Sequence, residues 1–132
     1  MRVSSPNITE LKENEVFVFG SNEAGIHGAG AARLAYNKFG ATLGQGYGLQ
    51  GRSYAIPSKD HMIQTLNIRI IKVYVDDFIE YAKGHPQLNF LVTEIGCGLA
   101  GLTVGEVAPL FKVALEVPNI YLPQTFLDTY GS

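Results

Sequence analysis

The stretch Val16-Phe-Val-Phe-Gly-Ser-Asn-Glu-Ala-Gly-Ile-His-Gly-Ala-Gly-Ala-Ala32 decides the fold. Its first four residues are a short run of β-branched and aromatic side chains, which is typical of a strand covered on both faces. A glycine-rich loop follows, in which Gly25, Gly28 and Gly30 lack the Cβ atoms that hinder sharp bends and close approaches. The small residues after the loop indicate the start of a helix. Because free N–H groups at a helix N-terminus attract anions, this stretch favours a phosphate-bearing ligand.

A second strand and a second glycine-rich loop lie further along the chain. The apolar run from Leu88 to Ile95 predicts a buried strand that leads directly into Gly96-Cys-Gly-Leu-Ala-Gly101. Thr103 and Glu106 then have the spacing of a capping box, which predicts a helix N-terminus. Pro109 conflicts with so early a start because it lacks a helical N–H donor. Either the first turn is irregular or the helix begins near Pro109.

The other elements complete an alternation of strands and helices. Ile68 to Lys83 carries apolar residues at helical spacing, which predicts an amphipathic helix ended by Gly84 and Pro86. We further expect three strands, namely an edge strand at 1–4, a strand at 53–56 closed by Pro57, and a final strand at 119–122. A helix is expected at about 29–39, where Gly40 stops it, and a shaped loop follows at 41–51. This order predicts one α/β domain over residues 1–132, with α/β/α layers and a mixed, mainly parallel sheet. Both glycine-rich loops then lie at the carboxyl edge of the sheet, where open α/β sheets bind ligands.

Composition and charge restrict the function classes. The chain has 132 residues and a formal net charge of -2, which argues against a broad nucleic-acid surface. Cys97 is the only cysteine, and the three histidines share no metal-ligand spacing with it or with a carboxylate, so we expect no metal and no cofactor. We see no signal-peptide pattern and no apolar run long enough to span a membrane, and therefore expect a cytoplasmic protein without membrane partners. The sequence leaves the oligomeric state open.

The two loops resemble those of macro domains, the family that binds ADP-ribose. In that family an apolar strand ends in Asn and leads into a glycine-rich loop and helix, as Val16 to Asn22 leads into Gly25 to Ala32 here. The segment Ile95-Gly-Cys-Gly-Leu-Ala-Gly-Leu102 is especially similar to the branch that contains the terminal ADP-ribose protein glycohydrolase. Pro6-Asn-Ile-Thr9 stands where many macro domains carry Gly-Asp-Ile-Thr. The resemblance implies a single three-layer macro-like domain whose two loops hold the diphosphate of ADP-ribose from two sides.

The chain departs from the family pattern at positions that matter for the reaction. The family's aspartate, which accepts a hydrogen bond from the adenine amino group, is matched by Asn7, which lacks the charge. The glycohydrolase branch carries an acidic residue where this chain has Ala100, and it uses a lysine to attack the distal ribose. Lys59 is close to that lysine's position, although Ser58 is the alternative alignment. Asp60 would then position the lysine or assist proton transfer, and the alternative is that Lys59 and Asp60 are a solvated pair of loop residues.

Several other candidates also have an ordinary structural alternative. His27, in the first loop, is either a general acid or base or an orienting hydrogen-bonding residue. Cys97 is either a nucleophile favoured by backbone donors or a small packing residue, and packing is the simpler interpretation. Glu94 is either a base at the mouth of the cleft or the partner of an Arg or Lys. Phe126 and Tyr130 either stack on adenine or pack on the core.

The resemblance therefore implies a site for ADP-ribose or an ADP-ribosyl derivative. Asn22 and the loop 45–51 are expected to face the distal ribose, and Asn7 the adenine. The expected catalytic residues are Lys59, Asp60 and His27, and the expected ligand-binding residues are Asn7, Ser21, Asn22, Gly25, Ile26, Gly28, Ala29, Gly30, Ala31, Gln45, Tyr47, Gly96, Cys97, Gly98, Leu99, Ala100 and Gly101. The expected reaction is hydrolysis of the bond at the distal ribose, which releases ADP-ribose from a protein, nucleic acid or metabolite. The alternatives are a non-catalytic reader or sequestering module, and a domain that binds another nucleotide or uses its glycines only for packing.

Overall fold

A six-stranded sheet organises the computed structural model, which describes residues 2–131. In chain order its strands are β1 Val3–Ser4, β2 Glu15–Asn22, β3 Gly48–Gln50, β4 Ser53–Lys59, β5 Asn89–Val92 and β6 Ile120–Pro123. Their order across the sheet is β1-β6-β5-β2-β4-β3, and among these described strands only β3 runs antiparallel to its neighbour. The prediction of a mixed, mainly parallel sheet is confirmed, with β1 at an edge as expected. Met1, which the predicted edge strand included, lies outside the described residues.

Helices cover both faces of this sheet. They are α1 Gly30–Lys38, α2 Ile68–Lys83, α3 Val104–Val107 and α4 Gln124–Tyr130, with a 3₁₀ helix at Ala108–Glu116. Along β2, Phe17 and Phe19 pack with α1 on one face, whereas Val16 and Val18 pack with α2, the 3₁₀ helix and α4 on the other. Successive side chains of a strand point to opposite faces, so this alternation produces three layers. No helix within residues 2–131 is long and apolar enough to cross a membrane.

Strands β2 and β4 extend further than predicted. β2 ends at Asn22 rather than Phe19 because β4 continues beside it as far as Lys59. Pro57 does not close β4 as expected, since the pairing of β3 with β4 has already stopped at Ala55. A proline is tolerated where a strand has a partner on one side only, because its missing N–H then interrupts no second ladder. The extension brings the polar ends of β2 and β4 together at the carboxyl edge.

Strand β5 is shorter than predicted. It ends at Val92 rather than Ile95, and the N–H and Oγ1 of Thr93 both donate to the carbonyl of Val18, at 3.1 and 2.8 Å. The N–H of Ile95 then turns back to the carbonyl of Thr93 at 2.8 Å. The second glycine-rich loop therefore comes after a bend rather than directly after the strand.

The capping box is confirmed, and Pro109 explains the change of helix type after it. The Oγ1 of Thr103 accepts from the N–H of Glu106 at 3.2 Å, and the Glu106 carboxylate accepts from the N–H of Thr103 at 3.0 Å. The α-helix lasts a single turn, and a 3₁₀ helix with Pro109 in its first turn replaces it. We expected either an irregular first turn or a helix that begins near Pro109, and each alternative holds in part.

Two elements were not expected from the sequence. Strand β3 lies inside the segment 41–51, where only a loop was predicted. Helix α4 begins directly after Pro123 without a side-chain cap. Its Phe126 is fully buried in the core, and the hydroxyl of Tyr130 donates to the carbonyl of Ala108 at 2.5 Å. Burial raises the pKa of Tyr130 to about 12, and both aromatic residues adopt the core-packing alternative rather than adenine stacking.

Candidate functional site

A cleft of about 680 Å³ opens at the carboxyl edge of the sheet, lined by the ends of β1, β2, β4, β5 and β6 and by the start of α1. Most predicted site residues line it, namely Asn7, Ser21, Asn22, Ile26, Gly28, Ala29, Gly30, Ala31, Lys59, Gly96, Cys97, Gly98, Leu99 and Ala100. The other predicted residues, which are Gly25, His27, Gln45, Tyr47, Asp60 and Gly101, are not among the lining residues. The two glycine-rich segments therefore meet at one cleft, although parts of each turn away from it.

One wall of the cleft is the segment from Gly28 to Ala31, which leads into α1. Ala29 precedes the helix in an extended conformation and makes no side-chain hydrogen bond to cap it. The first N–H groups of the helix have no partner within the helix itself, as at any helix start. A Cβ atom added at Gly30 would meet no atom within 4 Å, so the space beside this backbone is open. This wall can donate hydrogen bonds to an anion.

A second wall is the loop 96–101. Gly96 and Gly101 have positive φ angles of 75° and 78°, in a region that glycine adopts far more readily than other residues. The loop is closed by the N–H of Leu102, which donates to the carbonyl of Gly96 at 2.9 Å. Among residues 2–131, no hydrogen bond uses the N–H groups of residues 98–100. These three groups are therefore available to a ligand.

Asn22, at the end of β2, is fixed by the loop that follows it. Its Oδ1 accepts from the N–H of Ile26 at 2.9 Å, and its Nδ2 donates to the carbonyl of Ile26 at 2.7 Å. The side chain therefore shapes the first loop while it lines the cleft. A carboxamide has two donor hydrogens and two acceptor lone pairs, so one of each remains for a ligand.

His27 lies buried behind the cleft. Its Nε2 donates to the carbonyl of Thr42 at 2.8 Å, because a carbonyl can only accept. In the neutral ring, Nδ1 then accepts from the hydroxyl of Ser21 at 3.0 Å. The ring also meets Phe19 edge-on, with centroids 5.4 Å apart. Because both ring nitrogens are engaged and the residue does not line the cleft, the contacts favour the orienting role over acid–base catalysis.

Lys59 and Asp60 are neighbours in sequence but have different surroundings. Lys59 lies opposite Asn22 at the end of β4 and lines the cleft, and no described residue forms an ion pair or hydrogen bond with its ammonium group. The Oδ1 of Asp60 instead accepts from the N–H groups of Met62 and Gln64, at 2.8 and 3.0 Å. Asp60 thus stabilises the turn 60–64, and its contacts give no support to a role in positioning Lys59.

The segment 41–51 packs against the first glycine-rich loop backbone to backbone. A Cβ atom added at Gly46 would lie 1.7 Å from the carbonyl oxygen of Asn22. At Gly25, where φ is 74°, a Cβ atom would lie 2.3 Å from the nitrogen of Gln45. These two glycines are therefore needed for close packing. Gly25 was expected to contact the ligand, and its surroundings explain why it does not line the cleft.

The side chains of this segment are also used within the fold. The Nε2 of Gln45 donates to the carbonyls of Tyr47 and Leu49, at 3.1 and 3.0 Å. The hydroxyl of Tyr47 donates to Asp77 at 3.4 Å, and its ring lies 5.5 Å from that of Tyr74 on α2. Gln45 and Tyr47 therefore contact their own loop and α2, and neither lines the cleft, where we expected both to bind the ligand.

Cys97 lines the cleft as a protonated thiol rather than a nucleophile. Partial burial, and then the carboxylates of Glu94 and Glu106, raise its pKa from the ordinary value of 9.0 to about 11. Its Sγ lies 3.5 Å from the carbonyl of Ile95, and the side chain packs against the core. Because the thiolate is the reactive form, these surroundings favour the packing interpretation.

The other end of the cleft contains Glu94, for which the sequence left two alternatives open, together with residues that the sequence did not lead us to expect. Glu94 lines the cleft and accepts from the hydroxyl of Thr125 at 2.5 Å, rather than pairing with an Arg or Lys. The additional lining residues at and after the ends of β1 and β6 are Val3, Ser4, Ser5, Pro6, Ile8, Pro123, Gln124 and Thr125. The signal for them was present, because strands were predicted at 1–4 and 119–122 and parallel strands share one carboxyl edge.

Comparisons with protein-family models, with curated proteins and with solved structures each found no match. Within residues 2–131, no three His, Cys, Asp or Glu side chains come together as they would around a metal ion. The cleft offers backbone N–H donors from two walls, a cation at Lys59 and a carboxylate at Glu94. This combination can bind an anionic group and also accept a hydrogen bond from a ligand.

Proposed function

We propose that this cleft binds ADP-ribose or an ADP-ribosyl derivative, within a macro-like fold. The observation that carries the proposal is that two separate glycine-rich segments, 28–31 and 96–100, line the same cleft with backbone donors. Donors on two walls can satisfy more phosphate oxygens than a single helix N-terminus can, which favours a diphosphate over a monophosphate. The cleft of about 680 Å³ is also within the size range of small-molecule sites.

The proposed orientation depends on the two ends of the cleft. The distal ribose lies beside Asn22 and Lys59, which adjoin each other at the ends of β2 and β4. The spare donor and acceptor of the Asn22 carboxamide suit ribose hydroxyls, which themselves both donate and accept. Asn7, which lines the cleft after β1, remains the expected neighbour of the adenine.

Hydrolysis at the distal ribose is the chemistry that we propose for this site. The neutral amine of Lys59 would attack the anomeric carbon, forming a C–N bond as the bond to the attached group breaks with its electron pair. The attacking nitrogen would then lose its additional proton, which water would carry to the departing group, and a second water molecule would displace the lysine nitrogen and release ADP-ribose. Lys59 alone of the three expected catalytic residues lines the cleft, so the proposal now depends on it.

A non-catalytic reader is the second candidate, and one observation favours it. Asp60 and His27, which were expected to assist the lysine, are both engaged by other parts of the fold. A cleft with good anion donors but no acid or base beside Lys59 would bind an ADP-ribosyl group without cleaving it.

Isothermal titration calorimetry with ADP-ribose, and with ADP, AMP and NAD for comparison, tests the binding proposal. We expect one-to-one binding that is strongest for ADP-ribose, because the distal ribose adds contacts that ADP and AMP lack. Equal affinity for all four ligands would instead identify a general nucleotide site. Absence of heat from a folded sample would refute the proposal.

Lys59→Ala separates the two candidates. For a hydrolase we expect release of ADP-ribose from a modified protein to be lost, while the affinity for ADP-ribose changes by less than about fivefold. Lys112→Ala is the matched control, because Lys112 is exposed on the 3₁₀ helix and does not line the cleft. Unchanged turnover in the Lys59 variant would exclude the lysine mechanism, and absence of turnover in the unmodified chain would favour the reader.

A further inference from the structure

The polar groups of the cleft are not distributed evenly. The N–H groups of residues 28–31 and 98–100 and the ammonium group of Lys59 are donors. Among the described side chains that line the cleft, Glu94 is the one carboxylate. A carboxylate can only accept hydrogen bonds, and it repels a phosphate at close range. The cleft therefore has one place that suits a neutral, donor-bearing part of a ligand.

The strand order separates Glu94 from Lys59. Glu94 follows the end of β5, whereas Lys59 ends β4, and β2 lies between those two strands. Neighbouring strands are about 4.8 Å apart, so the backbones of β5 and β4 are on the order of 10 Å apart. The hydrogen bond from Thr125 holds the Glu94 carboxylate toward β6, which lies on the side of β5 away from Lys59. The carboxylate and the ammonium group thus belong to opposite ends of the site.

Asn7 belongs to the same end as Glu94. The Oγ of Ser4 donates to the carbonyl of Val92 at 2.6 Å, and Ser4 pairs with Pro123 in the sheet. The residues that follow β1, β5 and β6 therefore emerge side by side, and Asn7, Glu94 and Thr125 all line the cleft there. Thr125 leaves the second carboxylate oxygen of Glu94 free to accept from a ligand.

On the basis of the proposed function, we infer that Glu94 is a specificity-determining residue that accepts a hydrogen bond from the 6-amino group of the adenine. Thr125 is the positioning residue that fixes the carboxylate. The repulsion between Glu94 and the phosphates also sets the direction of the ligand, because it places the base at the β5–β6 end and the distal ribose at Lys59.

A thermodynamic cycle tests this inference, in which binding affinity is measured after one group is changed on the protein, one on the ligand, or both. The ligands are ADP-ribose and the analogue whose purine carries hydrogen in place of the 6-amino group, and the variant is Glu94→Gln. We expect the unmodified chain to prefer ADP-ribose about tenfold, as for a charge-assisted hydrogen bond. In Glu94→Gln the preference should fall to about twofold, with affinity lost for ADP-ribose and unchanged for the analogue.

Two further variants complete the design. Thr125→Val should reduce the preference partially, to about threefold, because the carboxylate remains but is no longer held. Glu80→Gln, on the exposed surface of α2, removes a charge away from the cleft and should leave the preference at its original value.

The outcomes distinguish this inference from the function on which it rests. Equal loss of affinity for both ligands in Glu94→Gln would overturn the base contact, because the carboxylate would then act on the shared sugar or phosphates. An unchanged preference would overturn it as well, and in both cases ADP-ribose binding would stand. Failure of the unmodified chain to bind either ligand would remove the proposed function, and this inference with it.

Discussion

The two glycine-rich segments look alike in sequence but are held very differently in the fold. In the first, Asn22 and His27 hydrogen-bond to neighbouring backbone, and Gly25 packs against the backbone of the segment 41–51. In the second, Gly96 is closely packed, whereas added Cβ atoms at Gly98 and Gly101 would meet nothing within 4 Å. Residues 22–27 of the first segment are thus fixed by contacts with other parts of the fold, and only its last residues, 28–31, present open backbone to the cleft, as residues 98–100 of the second segment do.

This difference shows that a glycine can be needed for two separate reasons. Close packing needs the absence of a side chain, and a penalty for adding one appears in the stability of the fold. An open anion site also needs a residue without a side chain, but adding a side chain there lowers the affinity for the ligand rather than the stability of the fold. Substitutions in the two segments should therefore separate folding from binding.

Gly46→Ala should have the largest effect on stability, because the added methyl group would lie 1.7 Å from the carbonyl oxygen of Asn22. Backbone on both sides must move to relieve the overlap. We expect a loss of about 3 kcal/mol in the free energy of unfolding, measured by urea denaturation. A loss below about 1 kcal/mol would show that the segment 41–51 is not held tightly against the first loop.

The rate at which Cys97 is alkylated tests whether the free backbone N–H groups of the second loop stabilise its thiolate. Because its pKa is raised to about 11, the reactive thiolate is scarce at neutral pH. Alkylation by iodoacetamide at about pH 8 should be on the order of a hundredfold slower than for an ordinary thiol, and should rise about tenfold per pH unit toward pH 11. The same chain unfolded in urea is the control and should titrate near the ordinary value of 9.0. A midpoint below that value in the folded chain would mean that the amides stabilise the thiolate.

His27→Leu tests the buried part of the first loop. The substitution removes both ring hydrogen bonds and leaves the carbonyl of Thr42 and the hydroxyl of Ser21 without these partners. We expect the free energy of unfolding to fall by about 2 kcal/mol. The folded variant should bind ADP-ribose within about threefold of the unmodified chain. Loss of turnover without loss of stability would instead assign His27 a catalytic role.

Much of the fold could be predicted from the sequence, because apolar runs and helical spacing report burial directly. The bounds of α2 and the capping box at Thr103 depend on local patterns, and the structure confirms them. Strand ends depend on neighbours that are distant in sequence, which is why β4 continues past Pro57 and β5 stops before Ile95. Helix α4 has no N-cap side chain and so leaves no local signal.

The candidate site could be predicted at the level of backbone but not of side-chain partners. The glycine-rich loops predicted the position of a cleft at the carboxyl edge of the sheet, and both loops contribute to its lining. The engagement of His27 by Thr42, and of Tyr47 by Asp77, joins residues whose proximity only the folded chain creates. Glu94 could be noticed in the sequence as a charge on an apolar strand, but its partner Thr125 could not be identified there.

Gly98→Ala should have the smallest effect on stability. Its φ is outside the left-handed region and its added methyl group meets no neighbour, so the free energy of unfolding should change by less than about 1 kcal/mol. The methyl group would project into space that a ligand needs beside the free N–H groups of residues 98–100. We expect the affinity for ADP-ribose, measured by calorimetry, to fall about tenfold.

Gly101→Ala is the matched control for this last prediction. Gly101 belongs to the same loop and has the same open surroundings, but it does not line the cleft and its φ is 78°. An alanine there should lose about 1 kcal/mol of stability through backbone strain, with little change in affinity. If instead Gly98→Ala reduced stability and Gly101→Ala reduced affinity, our assignment would be wrong. Gly98 would then be needed for packing, and the ligand would bind beside Gly101. Loss of affinity in Gly98→Ala together with loss of stability alone in Gly101→Ala would establish that Gly98 keeps the cleft open for the ligand.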